Sequence, residues 1–372
     1  MNTRGIKPEE EELEPTKPVA HEELWESKKK GYIQAVEQII KRRNNPDYIP
    51  NLRTPWERIN DGTLGGLTWN TLNVFAGRPG SGKTLIKDQI LRYANDHLPN
   101  VRVLEFQLEM SGEQHALRDI SSYMGISIQR LLSYKVKNEN EKLSDEDILK
   151  IKNRIEYVAN RPWNLVTTSG TVSQIRYIIK EYRKKYPKEK LLIAIDHSDL
   201  VQNDNRQTKL DKAYALCEMI TQMNTDASMG DLLFIVLSQM NRGIEETSRM
   251  EPGKVGNYPT ANDIFGADAF QQHAHFVVCI NRPRQSHIDV YGPKKIPIPV
   301  ETPEQATVVW HVVKNRTGQT GMIFMKALWH QMEMYENQEM YELLNPEGVT
   351  QSPKDKAEST PTTTLSTKNV QT

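Results

Sequence analysis

One short stretch, residues 77–84, constrains the fold of this chain more than any other feature. It reads G-R-P-G-S-G-K-T and matches the pattern G-x-x-x-x-G-K-[ST], in which a glycine-rich loop joins a buried strand to a helix around a bound phosphate. An apolar run, residues 72–76, precedes it, and residues 85–97 read as a helix. The match therefore lies in the strand, loop and helix context that phosphate binding requires.

The residue types in this loop predict how it would hold a nucleotide. Glycines let the backbone curl so that successive N–H groups point at an anion, and the helix N-terminus adds the positive end of its dipole. Lys83 would reach the β and γ phosphates, and the Thr84 hydroxyl would bind Mg²⁺. The residues predicted to bind nucleotide are Gly77, Gly80, Ser81, Gly82, Lys83 and Thr84.

Composition limits the function classes. The 372 residues suffice for one large α/β core with extensions or for two modest domains. Lys+Arg and Asp+Glu each total 48, so bulk charge does not attract nucleic acid and any such contact must come from a local patch. Two cysteines in core-like segments, a charged N-terminus and no membrane-length apolar run predict a soluble cytoplasmic protein with no disulfide framework.

The chain divides by composition into four segments. Residues 1–20 and 345–372 are charged or rich in Ser, Thr and Pro, which predicts disorder. Residues 21–50 contain an amphipathic helix whose apolar stripe must be covered either by its own domain or by a neighbouring subunit. Residues 51–344 alternate apolar runs with helical stretches, which is typical of a mostly parallel sheet flanked by helices.

Eight core strands are predicted, and the last two should form a hairpin. They lie at residues 72–76, 101–106, 164–167, 191–195, 232–237, 276–280, 307–313 and 322–327. Residues 282–303 are rich in proline and read as a long surface excursion.

Two acids follow core strands. Asp196 ends a buried run and is the candidate that holds Mg²⁺ together with Thr84. Glu109 comes just past the second strand, where a carboxylate can orient and partly deprotonate an attacking water. The competing candidate, Glu105, lies within that strand, and an ordinary helix-start acid is the alternative for Glu109.

Polar groups also mark two later elements. Gln239 ends another core strand, where an amide could sense a γ-phosphate, although a solvated strand end is equally consistent with the sequence. Lys314 and Arg316 lie on the hairpin turn. They are ordinary solvated charge unless the protein forms a ring, in which case they would reach a phosphate held by the adjacent subunit.

Together, the order of these motifs resembles the RecA-like hexameric replicative DNA helicases, a family that includes bacterial DnaB helicases, phage relatives and the mitochondrial helicase Twinkle. The resemblance extends over roughly residues 51–329. The matching pieces are residues 76–84, 107–111, 193–201, 238–242, 263–278 and 314–321.

The resemblance implies a RecA-like motor that uses ATP and Mg²⁺ at sites shared between subunits of a homo-oligomeric ring. Catalysis would then fall to Lys83, Glu109, Gln239, Lys314 and Arg316, and the ring channel would hold single-stranded or forked DNA. The residues expected at the DNA, on loops after Asp196 and Gln239 and near residue 266, are Arg206, Lys209, Lys212, Arg242, Arg249, Lys254 and Gly266.

This chain departs from the bacterial pattern in several places. Phe265 stands where an arginine is usual, so only backbone amides around Gly266 are left to hold a phosphate there. Too few residues precede residue 77 for a collar or primase-like domain, so contacts with a primase, polymerase or loader are the weakest expectations. A compact phage or plasmid helicase, working in the cytoplasm of a bacterial or phage-infected cell, is the expected source.

Three rival functions use the same core. A RecA-like recombinase would form filaments on single-stranded DNA, a small-molecule kinase would hydrolyse ATP without regard to DNA, and a DNA-stimulated ATPase would only remodel other replication proteins. The predicted direction of helicase travel is five-prime to three-prime.

Overall fold

A computed structural model describes residues 21–45, 48, 50–133, 142–168, 170–202, 208–246, 249, 258–292 and 294–344. The segments predicted to be disordered, 1–20 and 345–372, lie outside the described residues. The chain divides into two compact units, residues 1–50 and 51–372.

The first unit contains one long helix, α1 (His21–Asn44). Its last turn carries Lys41, Arg42 and Arg43, which lie favourably at the negative end of the helix dipole. The predicted apolar stripe is present on this helix, and each of its side chains is about half exposed or more. The stripe contains Tyr32, Ile33, Val36, Ile39 and Ile40. An exposed stripe of this size needs a partner surface to leave water.

The second unit is built on a nine-stranded sheet, and all eight predicted strands are confirmed. Its strands are β1 (Thr71–Gly77), β2 (Val101–Gln107), β3 (Trp163–Val166), β4 (Lys190–Asp196), β5 (Leu232–Gln239), β6 (Phe276–Asn281), β9 (Gln305–Asn315), β10 (Gly321–Leu328) and β11 (Glu333–Glu336). A separate two-stranded ribbon contains β7 (Val290–Tyr291) and β8 (Ile296–Pro297).

The order across the large sheet is β11-β10-β9-β6-β1-β5-β4-β2-β3. The six strands from β6 to β3 pair in parallel, whereas β9, β10 and β11 are antiparallel to their neighbours. The strand connections of the parallel part pass through helices, as parallel pairing requires. This arrangement is the predicted α/β fold with a mostly parallel sheet.

Helices cover both faces of the sheet. The described helices of this unit are α2 (Glu57–Gly62), α3 (Lys83–His97), α4 (Gly112–Met124), α5 (Ile128–Leu131), α6 (Asp145–Ala159), α7 (Val172–Lys185), α8 (Lys209–Thr225), α9 (Ala267–His273) and α10 (Gln338–Leu344). Ile175 of α7 and Ile220 of α8 belong to one buried cluster, and Ile86 and Ile90 of α3 belong to another. Parallel strands buried on both faces explain their nearly continuous apolar sequences.

One expectation about the fold is wrong. Residues 282–303 do not simply cross the surface, because Tyr291, Ile296 and Ile298 form a third buried cluster with Val309 and Phe324. The Tyr291 hydroxyl lies 2.7 Å from His311 Nε2. The high proline content predicted a surface loop, whereas the apolar side chains of Tyr291, Ile296 and Ile298 pack this segment against the sheet.

Candidate nucleotide and metal site

The carboxyl ends of four parallel strands bring the candidate site together. Gly77 at the end of β1 pairs in register with Gln239 of β5, and Gln107 of β2 pairs with Asp196 of β4. The crevice at the carboxyl edge of an open α/β sheet is the usual ligand position in such folds. Lys83 follows directly, at the start of α3.

The phosphate-binding loop has little space for side chains at two of its glycines. Gly82 precedes α3 with a φ of 96°, and a Cβ there would lie 3.0 Å from the methyl carbon of Met334. A Cβ at Gly77 would lie 2.4 Å from the Ser81 hydroxyl oxygen. These positions therefore require glycine to keep the loop close to the sheet and open to an anion.

Lys83 extends back over the loop. Its Nζ donates to the carbonyl oxygens of Gly77 at 2.8 Å and Arg78 at 3.1 Å. Burial lowers the pKa of Lys83 from its ordinary value, and the negative charges of Asp196 and Glu109 oppose this effect. The ammonium is thus placed where it can interact with phosphate oxygens.

Asp196 is almost completely buried and has one oxygen available for a ligand. Its Oδ2 accepts from Gln107 Nε2 at 3.1 Å and lies 3.2 Å from Lys87 Nζ. Its Oδ1 is buried and has no hydrogen-bond partner among the described residues. Because a buried carboxylate oxygen needs a partner and Mg²⁺ prefers oxygen ligands, this side chain and the half-buried Thr84 fit a magnesium site.

Glu109 lies just beyond this edge with an exposed side chain. The preceding residue, Leu108, donates its N–H to the carbonyl of Asp196 at 2.6 Å, which fixes the chain beside the metal candidate. Helix α4 begins at Gly112 and is capped by Ser111, so Glu109 stands two residues before the cap, and both interpretations of this acid agree with its position. Glu105 is fully buried and paired with Lys87, and so is badly placed to receive a proton from water.

The loop after β5 is tied to the phosphate-binding loop. Arg78 Nε lies 2.7 Å from Glu245 Oε1, and its Nη1 donates to the carbonyl of Met240 at 3.1 Å. The carbonyl of Gln239 accepts from the Phe265 N–H at 2.8 Å. The chain around Gln239 is therefore bonded to the phosphate-binding loop on one side and to the segment before α9 on the other.

The structure adds two residues to the site that the sequence analysis missed. Arg282 donates from Nη1 to the Gly80 carbonyl at 3.3 Å, and its guanidinium carbon lies 4.7 Å from the centre of the Trp329 ring. The indole also lies 3.5 Å from the Cβ position of Gly82. This cation-π pair lies beside the loop, and Arg282 also bonds to both carboxylate oxygens of Glu301. The only sequence signal was an arginine directly after a core strand.

Lys314 and Arg316 lie at the opposite, amino-terminal edge of the sheet. Strand β9 runs antiparallel to β6, so Asn315 pairs with Phe276, while Gly77 pairs with Ile280. The two levels are four residues apart along β6, which corresponds to ~13 Å at ~3.3 Å per residue. A cation on this turn is therefore far from the phosphate-binding loop of its own chain.

Within the chain, the two cations contact the end of α9. Lys314 Nζ donates to the carbonyl of Gln271, and Arg316 Nη2 donates to that of Gln272 at 2.8 Å. Burial lowers the pKa of Lys314, and the charge of Arg316 adds to this effect. Arg316 itself is exposed. Its guanidinium is accessible to a second molecule.

The DNA candidates are placed unevenly. Arg242 is exposed and Lys212 is half-buried, whereas Arg249 pairs with Asp263 through both Nη atoms, which neutralises its charge. Gly266 precedes α9 with a φ of 76° and would place a Cβ 2.6 Å from that of Ala213, so close packing explains this glycine. Arg206, Lys254 and the side chain of Lys209 lie outside the described residues.

Among the helices that the structure describes, none combines the length and apolar character needed to span a lipid bilayer.

Comparison with known proteins identifies similar sequences. A family model described as "DnaB-like helicase C terminal domain" matches residues 52–337. The replicative DNA helicase DnaB of Helicobacter pylori (strain J99) is 24% identical over 292 residues, which cover 72% of this chain and 56% of that protein. The corresponding protein of Buchnera aphidicola subsp. Baizongia pistaciae is 26% identical over 251 residues, covering 66% and 50%. The chain therefore spans about half the length of the curated relatives it matches.

Solved structures share the fold. One solved structure, described as an ATPase domain, superposes with a TM-score of 0.65 at 18% identity, covering 82% of this chain and 98% of that one. A DnaB-like replicative helicase, described with its interactions with primase, gives a TM-score of 0.64 at 18% identity, covering 81% and 66%. At this identity the likeness establishes the RecA-like ATPase fold alone.

Proposed function

Because the chain belongs to the family of DnaB-like helicase C-terminal domains, we propose that it is the ATP-driven motor of a replicative DNA helicase. The motor would move along single-stranded DNA in the five-prime to three-prime direction and exclude the other strand of a fork. Its cofactors would be ATP and Mg²⁺.

The observation that carries this proposal is the separation of two complementary groups. The phosphate-binding loop and Asp196 lie at the carboxyl edge of the sheet, and Arg316 lies at the amino edge. A phosphate bound in one chain can meet Arg316 only if a second chain presents its amino edge. We therefore propose a homo-oligomeric ring, with six subunits as in the family, in which each ATP is bound by one subunit and contacted by the next.

Within one subunit, Lys83 and the loop amides would hold the triphosphate. Thr84 and Asp196 would hold Mg²⁺, which supplies charge neutralisation at the phosphates. Glu109 would orient the attacking water and accept its proton, since its exposed carboxylate lies just past Asp196. Gln239 would register whether a γ-phosphate is present.

The neighbouring subunit would complete the site. Its Arg316, with Lys314 beside it, would stabilise the charge that develops on the transferred phosphoryl group. To do so, both side chains must leave the α9 carbonyls that they contact in the single chain. This exchange would couple hydrolysis to movement of α9.

The pair formed by Arg282 and Trp329 would hold the adenine ring. An indole face and a guanidinium plane both stack on a base, and the pair lies directly beside Gly80 and Gly82.

DNA would lie along the loops that follow β4 and β5. Arg242 and Lys212 supply described cations there, and Arg206, Lys209 and Lys254 remain candidates. Such contacts go to phosphates and give salt-sensitive binding without base specificity. The bonds of Arg78 to Glu245 and of Phe265 to Gln239 would transmit changes in the nucleotide to these loops.

The apolar stripe of α1 would contact a neighbouring subunit. A groove of 390 Å³ lies between α4, α6 and β3, and Ile155, Val158 and Leu165 in its lining are more than one third exposed. A second copy of α1 would cover these side chains and bury its own stripe. Both surfaces would then remove apolar area from water, which favours assembly.

We further propose contacts with a primase, a polymerase or a loader. The interaction with primase described above is that of the similar DnaB-like helicase. The proposed site of action is the cytoplasm of a bacterial or phage-infected cell.

Unwinding of forked DNA tests the proposal directly. Two forks, with either a five-prime or a three-prime single-stranded tail for loading, are incubated with protein, ATP and Mg²⁺. Strand separation only with the five-prime tail is expected. Filaments on single-stranded DNA without strand separation would favour the recombinase, and DNA-independent ATP hydrolysis by a monomer would favour a small-molecule kinase.

A further inference from the structure

A buried group of charges lies behind the phosphate-binding loop. At its centre is Lys87, one turn after Lys83 on α3 and fully buried. Its neighbours on the inner face of this helix, Ile86, Ile90 and Leu91, are buried and apolar. Moving an ammonium out of water is costly unless partners replace the lost hydration, so a lysine here requires an explanation.

The partners are three carboxylates. Lys87 Nζ contacts Glu105 of β2, lies 3.0 Å from Asp88 Oδ1, and lies 3.2 Å from Asp196 Oδ2. Burial disfavours the charged form, but these carboxylates outweigh it and raise the pKa of Lys87 above its ordinary value. The lysine is therefore charged at neutral pH.

Glu105 fixes the lysine from the other side. Burial opposes its charge, yet Lys87 and His115 lower the pKa of Glu105 to about 2. Its Oε2 accepts from Trp163 Nε1 at 2.9 Å, and its Oε1 lies 3.3 Å from His115 Nε2. Both carboxylate oxygens are thus engaged, which leaves Glu105 as an anchor for Lys87.

The same geometry argues against a second metal ion. Ligand atoms of Asp88, Glu105 and His115 lie within 4.8 Å of one another, as a metal site would require. However, the Lys87 ammonium already contacts both acids and supplies the positive charge there. These acids therefore bind the Lys87 ammonium in place of a metal ion.

The consequence falls on Asp196. Two donors from different elements, Lys87 on α3 and Gln107 on β2, hold the same oxygen, Oδ2. The other oxygen, Oδ1, is buried and has no hydrogen-bond partner among the described residues. Fixing one oxygen from two directions orients the carboxylate and leaves the other oxygen to bind a ligand.

We propose that Lys87 is a positioning residue for the nucleotide-bound magnesium ion: by holding Oδ2 of Asp196, it presents Oδ1 to the metal and its water ligands. This inference rests on the proposed nucleotide and metal site. It concerns metal affinity, and it does not depend on strand separation or ring formation. Residues that orient a metal-binding side chain commonly contribute about 10- to 100-fold to metal affinity when removed.

The test measures binding in the absence of turnover. A fluorescent ADP bearing a methylanthraniloyl group is titrated with the full chain at a series of Mg²⁺ concentrations and also in EDTA. In Lys87→Met, the Mg²⁺ concentration that gives half of the metal-dependent binding should rise about tenfold or more. Affinity in EDTA should stay within about twofold, since the loop and Lys83 are intact.

The double variant Lys87→Met with Glu105→Gln separates positioning from stability. Lys87→Met alone leaves buried carboxylates uncompensated and should lower the melting temperature. Neutralising Glu105 should recover much of that loss, while the increased Mg²⁺ requirement persists. If the double variant regained both stability and the normal Mg²⁺ requirement, Lys87 would be structural only.

Arg183→Met is the matched control. Arg183 is a buried cation whose guanidinium donates to the carbonyls of Glu189 and Asp231, remote from Asp196 in sequence and hydrogen bonding. This variant should lose stability with an unchanged Mg²⁺ requirement. A normal Mg²⁺ requirement in Lys87→Met would overturn the inference even if the wild-type protein unwinds forked DNA. Failure of unwinding with a raised requirement would overturn the proposed function alone.

Discussion

The two edges of the sheet in this protein differ in how fully their polar side chains are bonded and buried. At the carboxyl edge, buried and mutually bonded groups, such as Lys83 on the loop carbonyls and Asp196 on Gln107, form a finished binding surface. At the amino edge, the side chains of Lys314 and Arg316 donate to carbonyls at the exposed end of α9 in their own chain. The difference supports the proposal that the chain carries two halves of a catalytic site that meet only between two subunits.

Removing the cation at the amino edge should have the largest effect. Arg316→Ala should decrease ATP hydrolysis by about 10³-fold, a typical value for an arginine that acts across an interface. Nucleotide affinity should change by about twofold at most, because the loop is intact. Steady-state ATPase assays with DNA, together with binding of labelled ATP, check both numbers. If nucleotide affinity fell together with hydrolysis, Arg316 would support the structure of its own subunit. The proposed difference between the two edges of the sheet would then not hold.

Removing Lys83, the cation at the carboxyl edge, should decrease nucleotide binding. Lys83→Ala deletes the buried ammonium that we propose contacts the phosphates. Loss of a charge-assisted contact of ~3 kcal/mol corresponds to about 100-fold weaker nucleotide binding. Titration with fluorescent ATP at fixed Mg²⁺ measures it. ATP affinity equal to that of the wild type would contradict the loop assignment.

A smaller effect is expected at the proposed base surface of the carboxyl edge. Trp329→Ala removes a stacking platform worth ~1–3 kcal/mol, so KM for ATP should rise about tenfold with little change in kcat. Trp329→Phe should retain much of the affinity. Equal KM values for the wild type and the alanine variant would show that the base lies elsewhere.

The smallest effect should come from the helix outside the sheet. Ile39→Asp places a charge on the apolar stripe of α1, and an interface loss of ~1 kcal/mol weakens subunit association about fivefold. Gln38→Asp, on the opposite face of the helix, is the matched control. Sedimentation over a range of protein concentrations distinguishes them. Equal weakening by both variants would point to the charge itself and not to the stripe.

The sequence predicted those parts of the molecule that depend on local pattern. The strands, the phosphate-binding loop and the acid at residue 196 each lie within a short segment whose periodicity and residue types identify it. The RecA-like architecture followed from the order of these segments, and the family match confirms that resemblance.

Contacts between distant segments were not predictable in the same way. From the sequence, Lys87 had no assigned role and Glu105 was considered only as the competing catalytic acid. Only the packing of α3 on β2 makes the two a buried pair. Arg282 and Trp329 are 47 positions apart and meet only because β6 and β10 end near the same loop. The position of Arg316 at the amino edge depends on the antiparallel direction of β9, which motif order does not specify.

Mixing two inactive variants tests the central claim most directly. Lys83→Ala subunits keep Arg316 but bind nucleotide about 100-fold more weakly. Arg316→Ala subunits bind nucleotide but lack the cation. When mixed with single-stranded DNA, ATP and Mg²⁺, they should form interfaces in which an intact loop meets an intact arginine, and DNA-dependent ATP hydrolysis should return to a fraction of the wild-type rate. Co-assembly shown by differently tagged subunits, with hydrolysis no higher than the sum of the separate variants, would contradict the shared site.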